Sequence, residues 1–265
     1  MGIPRAGRII VGYGQMKTRI VLAAFGLTDI GRCRKENQDA FVADPALGLY
    51  LVSDGMGGLN SGAVASKAVA ELFPKLLAPK LPKSSRKALL EDLKDAVASF
   101  SEMLREKAKE EPRLRGMGAT LVMALVRGSD AYLLHLGDSR AYLFAKGALK
   151  RLTRDHTVAG VLEALGKISE AEARSHPARH ALSRYVGMNG KAVADALRLK
   201  LKAGERLLFC TDGLTNMLTD EAIGAVLSEE KTVEGACRKL VAKANEAGGG
   251  DNITALVMEF SRNPG

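Results

Sequence analysis

Short apolar runs bounded by glycine, aspartate or asparagine dominate the hydrophobic pattern of this chain. Runs of this length predict β-strands, and they fall at residues 19–27, 48–53, 119–126, 131–136, 141–144, 196–201, 206–210 and 253–260. The three runs between residues 119 and 144 are separated by four-residue turn sequences. This spacing predicts an antiparallel meander.

Apolar residues recur at helical spacing between these strands. The period predicts helices at residues 64–77, 89–104, 221–227 and 233–244. Pro74 should kink or end the first helix. Residues 155–185 are polar, with little apolar periodicity, which indicates a flap beside a site. Because strand pairs alternate with helix pairs, we expect an α+β fold of antiparallel sheets covered by helices.

Length and composition favour one globular domain. The chain has 265 residues, of which 46% are hydrophobic and 26% charged, so it can bury a core without disulfides. We expect a single catalytic domain at residues 20–260 and a tail at 261–265. We expect residues 1–19 to be a basic N-terminal extension, for which both an ordered and a disordered state are open. The three cysteines are an odd number without C-x-x-C spacing, which argues against a disulfide framework and a thiolate zinc site.

The net charge of +9 raises the question of a nucleic-acid partner. However, the basic residues are scattered beside Glu and Asp, without interleaved aromatic residues for base stacking. We therefore expect a solvated surface that attracts anionic phosphoproteins at most, and no nucleic-acid partner. The apolar stretch within residues 1–19, at residues 9–11, is too short for a signal-peptide core, and no apolar run of the chain reaches the length of a membrane span. We predict a cytoplasmic monomer without membrane contact.

The chemistry-bearing pattern is the position of aspartates at strand ends. Asp54, Asp138 and Asp212 follow apolar runs, whereas Asp39 and Asp251 precede them. Carboxylates on rigid strand ends can converge, and oxygen ligands without His or Cys favour Mg²⁺, Mn²⁺ or Ca²⁺ over Zn²⁺. Two such ions form the general clamp for phosphoryl displacement. A single Asp-Gly pair is more often a β-turn, so the inference depends on the whole set.

Seven motifs carry a resemblance to a known family. They are GRCRKENQDAF (31–41), VSDGMGG (52–58), GATL (118–121), LGDSR (136–140), LTRDHT (152–157), CTDGL (210–214) and GDNIT (250–254). In this order they resemble the PPM-type, type 2C-like metal-dependent protein serine/threonine phosphatases, particularly the bacterial branch. The resemblance implies a central sandwich of two antiparallel β-sheets flanked by helices on both faces. It also implies a phosphoric monoester hydrolase.

The resemblance implies metal ligands residue by residue. Asp54 would bridge two Mn²⁺ or Mg²⁺ ions, and the carbonyl of Gly55, where glycine permits close approach, would bind the first ion. Asp212 and Asp251 would hold the second, with Asp39 near it directly or through water. The further pair Asp138 and Asp212 would form a third, weaker site.

The resemblance also implies the other roles. Arg34 would bind the substrate phosphate with its planar fork. Asn252 and Thr120 would organise the backbone around the ligands, although simple turn and strand positions are an equal alternative. Asp54, Asp212 and Arg34 are the expected catalytic set. They would act in direct hydrolysis by a metal-bridging hydroxide without a phosphoenzyme, on phosphoproteins that serine/threonine kinases produce.

The proton donor for the leaving group is open. Some family members carry His directly after the Asp-Gly that matches Asp54-Gly55, but this chain has Met56. A metal-bound water or His156 are the two candidates, with flap ordering as the alternative role of His156. We expect His180 on the flap surface. The alternative function is a catalytically silent phosphoprotein-binding regulator.

Overall fold

The computed structural model describes residues 20–58, 61–79, 81 and 85–262. The expected extension at residues 1–19 and the last three residues of the expected tail lie outside these ranges. Within them, two antiparallel sheets pack face to face. The first has the strand order β1 (Ile20–Asp29), β11 (Ile253–Arg262), β10 (Arg206–Cys210), β7 (Arg140–Ala145) and β8 (Ala148–Arg151). The second has the order β2 (Asp39–Asp44), β3 (Leu49–Met56), β5 (Leu121–Arg127), β6 (Asp130–Leu136) and β9 (Asp195–Lys200), with β4 (Gly118–Ala119) beside β3.

Alternation along the strands explains the sandwich. In β3, Tyr50 and Val52 join a buried cluster with Phe209 and Leu256 of the other sheet. Their neighbour Leu51 instead packs in a cluster with helix residues. Because successive strand side chains point to opposite faces, β3 buries one face between the sheets and the other under helices.

Helices cover both outer faces, so the expected α+β sandwich is confirmed. The second sheet is covered by α1 (Ser61–Glu71), α2 (Phe73–Leu77) and α3 (Leu89–Glu110). The first is covered by α6 (Asp212–Thr215), α7 (Asp220–Glu229) and α8 (Val233–Glu246). Pro74 lies in the first turn of α2, where its missing N–H costs nothing, and the predicted helix at 64–77 is divided there. No helix within the described ranges has both the length and the apolar composition of a membrane span.

The predicted meander at residues 119–144 is wrong in its last strand. β5 and β6 pair as expected, but β7 pairs with β10 and β8 in the other sheet. Gly137, with φ of 116°, turns the chain from one layer to the other instead of closing a hairpin. The short strand β8 and the one-turn helix α6 were not expected from the hydrophobic pattern, because four-residue elements show little periodicity.

The predicted flap contains two short helices between irregular segments. They are α4 (Val158–Ala164) and α5 (Glu170–Ser175). α5 has no fully buried residue, which explains the lack of apolar periodicity. A bridge between Thr157 and Leu182 joins the two ends of the flap to each other, and a bridge between Ala119 and Val186 connects its C-terminal end to the domain.

Candidate metal centre

Sheet pairing brings the five predicted aspartates to one end of the sandwich. Asp39 and Asp54 are direct cross-strand partners in β2 and β3. Asp212 follows β10 and Asp251 precedes β11, and these ends adjoin because the two strands are antiparallel. Asp138 lies on the crossing from β6 to β7, whose first residue pairs with the last residue of β10.

Asp39 is a buried carboxylate with one oxygen occupied and one free. Its Oδ2 accepts hydrogen bonds from the hydroxyls of Thr211 at 2.8 Å and Thr254 at 2.7 Å. Its Oδ1 is buried and has no partner among the described residues. Burial raises the pKa of Asp39 to about 8, although the two hydroxyl donors oppose the shift.

Asp54 is fixed through its backbone. Its N–H donates to the hydroxyl of Thr120 at 2.8 Å, and its carbonyl accepts from the N–H of Thr120 at 2.8 Å. Burial, together with repulsion from Asp39 and Asp212, raises the pKa of Asp54 well above its ordinary range. Thr120 thus organises the backbone of Asp54, as one of its two sequence interpretations expected.

Gly55 lies where no larger residue fits. A Cβ atom at Gly55 would lie 2.0 Å from the carbonyl oxygen of Gly62 and 2.8 Å from that of Gln38. The N–H of Gly55 donates to the same Gln38 carbonyl at 3.0 Å. Three backbone segments therefore meet closely beside Asp54.

Asp212 and Asp138 meet at the centre together with a flap residue. The Oδ2 of Asp212 accepts from the Asn216 amide at 3.1 Å and lies 3.5 Å from Nδ1 of His180. Its Oδ1 is buried without a partner among the described residues. Ligand atoms of Asp138, His180 and Asp212 lie within 4.8 Å of one another. Burial and the charge of Asp212 raise the pKa of Asp138.

His180 was expected on the flap surface, and the structure places it at this centre. Its side chain is 47% exposed, so the surface position is correct, but its ring faces Asp212. The sequence carries no signal for this contact, because the flap lacks the periodicity that would orient its residues.

Asp251 is paired with Arg34. The guanidinium of Arg34 donates to Oδ2 of Asp251 at 2.7 Å, and Oδ1 of Asp251 accepts from the N–H of Asn252 at 2.8 Å. The hydrogen bond to Asp251 raises the pKa of Arg34, with further contributions from Asp54 and Asp212. The Arg34 side chain is 53% exposed, so it can reach a ligand at the mouth of the centre.

Asn252 anchors the loop that carries Arg34. Its amide nitrogen donates to the carbonyls of Ile30 and Glu36, each at 2.9 Å. Its amide oxygen accepts from the N–H of Gln38 at 2.8 Å. Asn252 therefore organises backbone, which is the first of the two interpretations that its motif allowed.

Both ring nitrogens of His156 are engaged away from the five clustered aspartates. Its Nδ1 accepts from the N–H of Gly137 at 3.1 Å, so its Nε2 carries the proton and donates to Asp195 at 3.0 Å. This geometry does not support His156 as proton donor to a leaving group. The alternative role, ordering the flap, agrees with these contacts.

The residues that the predicted set lacked support the centre through side chains or backbone groups. They are Gln38, Gly62, His180, Thr211 and Thr254. The two threonines stand inside the CTDGL and GDNIT motifs, directly before Asp212 and three residues after Asp251. Their position in the motifs was the available signal.

The described residues fit divalent ions. Two buried carboxylate oxygens, one on Asp39 and one on Asp212, lack partners, although buried polar atoms are normally hydrogen-bonded. Burial, together with repulsion between neighbouring carboxylates, raises the pKa of Asp39, Asp54 and Asp138. Oxygen donors of this kind match Mg²⁺ and Mn²⁺.

A family model described as Protein phosphatase 2C matches residues 33–245 of the chain. The chain belongs to the protein phosphatase 2C family. It is 33% identical over 235 residues to the serine/threonine phosphatase stp of Listeria monocytogenes, covering 88% of this chain and 93% of that protein. It is 35% identical over 244 residues to PstP of Mycobacterium tuberculosis, covering 92% of this chain and 46% of that protein.

Solved structures agree with this protein phosphatase 2C assignment. The M. tuberculosis phosphatase PstP/Ppp superposes with a TM-score of 0.80 at 33% identity, covering 91% of this chain and 99% of that one. A PstP catalytic domain in complex with two manganese ions gives a TM-score of 0.79 at 31% identity, over 91% and 99% of the two chains.

Proposed function

We propose that this protein hydrolyses phosphoserine and phosphothreonine monoesters on proteins with the help of two divalent ions. The observation that supports this most strongly is a pair of buried carboxylate oxygens, one on Asp39 and one on Asp212, that have no hydrogen-bond partner among the described residues. Membership of the protein phosphatase 2C family supports the reaction class. The names of the relatives, serine/threonine phosphatases, support the substrate class.

The residues divide into two proposed groups. Asp54 and the Gly55 carbonyl, with Asp212, Asp251 and Asp39, would hold the two core ions. Mn²⁺ or Mg²⁺ bound there supplies an activated water and charge neutralisation for in-line attack on phosphorus. Asp138 and Asp212, whose ligand atoms lie together, would hold a third ion.

Arg34 is the proposed phosphate-binding residue. Its guanidinium already lies at the carboxylates, with one nitrogen bonded to Asp251. The planar fork has further N–H groups that can donate to equatorial phosphate oxygens. Because half of the side chain is exposed, a phosphorylated loop can approach it without unfolding the site.

The leaving serine or threonine alkoxide needs a proton. Met56 cannot donate one, and both ring nitrogens of His156 are engaged elsewhere. His180 brings a protonatable ring from the flap to Asp212. Among the described side chains at the centre, His180 therefore replaces His156 as the candidate for this proton, and water at the ions stays the other candidate.

The origin of the substrates, the cellular compartment and the oligomeric state are further parts of this proposal. The proposed substrates are products of serine/threonine kinases, and a cytoplasmic monomer remains the prediction for its setting. A catalytically silent regulator is not favoured, because every expected carboxylate and Arg34 are present and brought together.

Phosphate release from phosphoserine, phosphothreonine and phosphotyrosine peptides with Mn²⁺ tests this function. We expect turnover of the first two peptides, abolished by EDTA and by Asp212→Asn. Asp95→Asn is the matched control, because Asp95 is exposed on α3. No phosphate release from any peptide with either Mn²⁺ or Mg²⁺ would contradict the proposal, as would full activity of Asp212→Asn.

A further inference from the structure

His156 forms two hydrogen bonds with Gly137, the residue that precedes Asp138. The backbone N–H of His156 donates to the carbonyl of Gly137 at 2.8 Å. In the opposite direction, the N–H of Gly137 donates to Nδ1 of His156 at 3.1 Å. One residue of the flap boundary therefore satisfies both polar groups of Gly137.

The other side of this loop is closed by Thr120. Gly137 has a φ of 116°, and a Cβ atom there would lie 2.6 Å from Cγ2 of Thr120. The hydroxyl of Thr120 is 2.6 Å from that of Ser139. Asp138 thus stands between two anchored neighbours, and its carboxylate is directed by the backbone on either side.

The tautomer of His156 is fixed by these bonds. Because Nδ1 accepts a hydrogen bond, Nε2 carries the proton and donates to Oδ2 of Asp195 at 3.0 Å. His135, His156 and Asp195 lie close enough to suggest a metal site. However, Nε2 could bind a metal only if the proton moved to Nδ1, which would then face the N–H of Gly137. The contacts therefore favour a positioning pair over a metal site.

Asp195 connects this pair to the end of the flap. Arg184 donates to the two oxygens of Asp195, at 2.7 and 3.4 Å. The N–H of Ser183 donates to the backbone carbonyl of His156 at 2.8 Å. A displacement of the flap end at residues 183–184 would therefore act directly on His156 and on its bond to Gly137.

We propose that His156, supported by Asp195, is a positioning residue that sets the affinity of the third ion at Asp138 and couples it to the flap. The inference rests on the proposed function only in taking Asp138 as a metal ligand. The essential contact is the Nδ1 acceptor for Gly137, and the Nε2 donor to Asp195 holds the ring in place. These two contacts can be separated by substitution.

The test compares His156→Asn with His156→Gln. Asn places an amide oxygen where Nδ1 stands and keeps the acceptor for Gly137. Gln places an amide nitrogen where Nε2 stands and keeps the donor to Asp195, but loses the acceptor. Free Mn²⁺ is followed by electron paramagnetic resonance during titration of each protein. His176→Asn is the matched flap control, because within the described part of the chain Nδ1 of His176 accepts only from the nearby N–H of Ala178.

We expect two tight ions in every variant and a change in the weakest ion alone. His156→Gln should weaken that ion about tenfold, because it leaves a buried N–H unpaired beside Asp138. His156→Asn and His176→Asn should stay within about threefold of the wild type. Asp195→Leu removes the contact that holds the ring but keeps the acceptor for Gly137, so it should weaken binding of the third ion about two- to threefold, less than His156→Gln.

Equal affinities of His156→Gln and His156→Asn for the third Mn²⁺ ion would overturn the inference. A wild-type protein that binds no third ion would also overturn it. If His156→Gln does not fold, the test depends on Asp195→Leu: an unchanged affinity of this variant for the third ion overturns the proposed coupling. The readout is metal binding, so the outcome is distinguishable from a failure of the proposed function. A protein that shows these affinities but releases no phosphate would contradict the function alone.

Discussion

Substitution of Gly55 by alanine tests the packing of the metal loop most sharply. The added Cβ would meet the Gly62 carbonyl at 2.0 Å (oxygen) and 2.5 Å (carbon), and the Gln38 carbonyl oxygen at 2.8 Å. All of these are backbone atoms, so no side-chain rotation can relieve the contact. The start of α1 or the end of β3, which carries Asp54, has to move by about 1 Å to restore ordinary contact distances.

The expected cost follows from this displacement. Overpacking of a dense interior costs about 1–3 kcal/mol in unfolding free energy, which for a chain of this size lowers Tm by about 2–12 °C. A shift of about 1 Å in a catalytic group reduces turnover on the order of 100-fold. We therefore expect Gly55→Ala to remain folded but to lose most activity.

Gly58→Ala is the control within the same motif. A Cβ atom at Gly58 meets no atom of the described residues within 4 Å. Its unfolding free energy should stay within about 0.5 kcal/mol of the wild type. Urea unfolding, Mn²⁺ binding and phosphopeptide turnover would be measured on both variants. Equal stability and turnover in the two would refute the argument that backbone contact at Gly55 positions the centre.

Three further predictions concern charge. Because the pKa of Asp39 is raised to about 8 and that of Asp54 is also raised, Mn²⁺ should displace at least about one proton at pH 7 and bind more tightly as the pH rises from 6 to 8. Calorimetry in two buffers of different ionisation enthalpy measures this, and no proton release would contradict it. Arg34→Ala should raise KM for a phosphopeptide roughly 10–100-fold through loss of a charged hydrogen bond, and an unchanged KM would exclude phosphate binding by Arg34. Burial lowers the pKa of His135 to about 3, so between about pH 6.5 and 3 only the unfolded chain takes up this proton, and acidification destabilises the fold. Relative to His135→Leu, the wild type should lose about 1.6 kcal/mol of unfolding free energy between pH 6.5 and 5 in urea unfolding, and parallel pH curves would contradict this.

The layers of the fold were predictable because hydrophobic periodicity is strong in long elements. The expected apolar positions of α3, from Leu89 to Leu104, are its buried positions in the structure. The partner of β7 was not predictable in this way. The four-residue segment 137–140 is compatible with a hairpin turn and with a crossing from one sheet to the other. Only the packing of the whole chain decides between the two.

The convergence of the aspartates was predictable because each one adjoins an apolar strand. Strand ends that share one edge of a sandwich necessarily approach one another, as Asp39 and Asp54 do. The contacts of His180 and His156 were not predictable. Their positions depend on the path of the flap, whose polar sequence leaves side-chain direction undetermined until the flap packs against the domain.

The central claim is that these carboxylates bind two catalytic ions, and anomalous diffraction from Mn²⁺-soaked crystals tests it most directly. We predict two strong peaks coordinated by Asp54, with the Gly55 carbonyl, Asp212 and Asp251 as further ligands, and loss of at least one peak in Asp212→Asn. Absence of peaks at these residues at saturating Mn²⁺, or peaks unaffected by Asp212→Asn, would contradict the account.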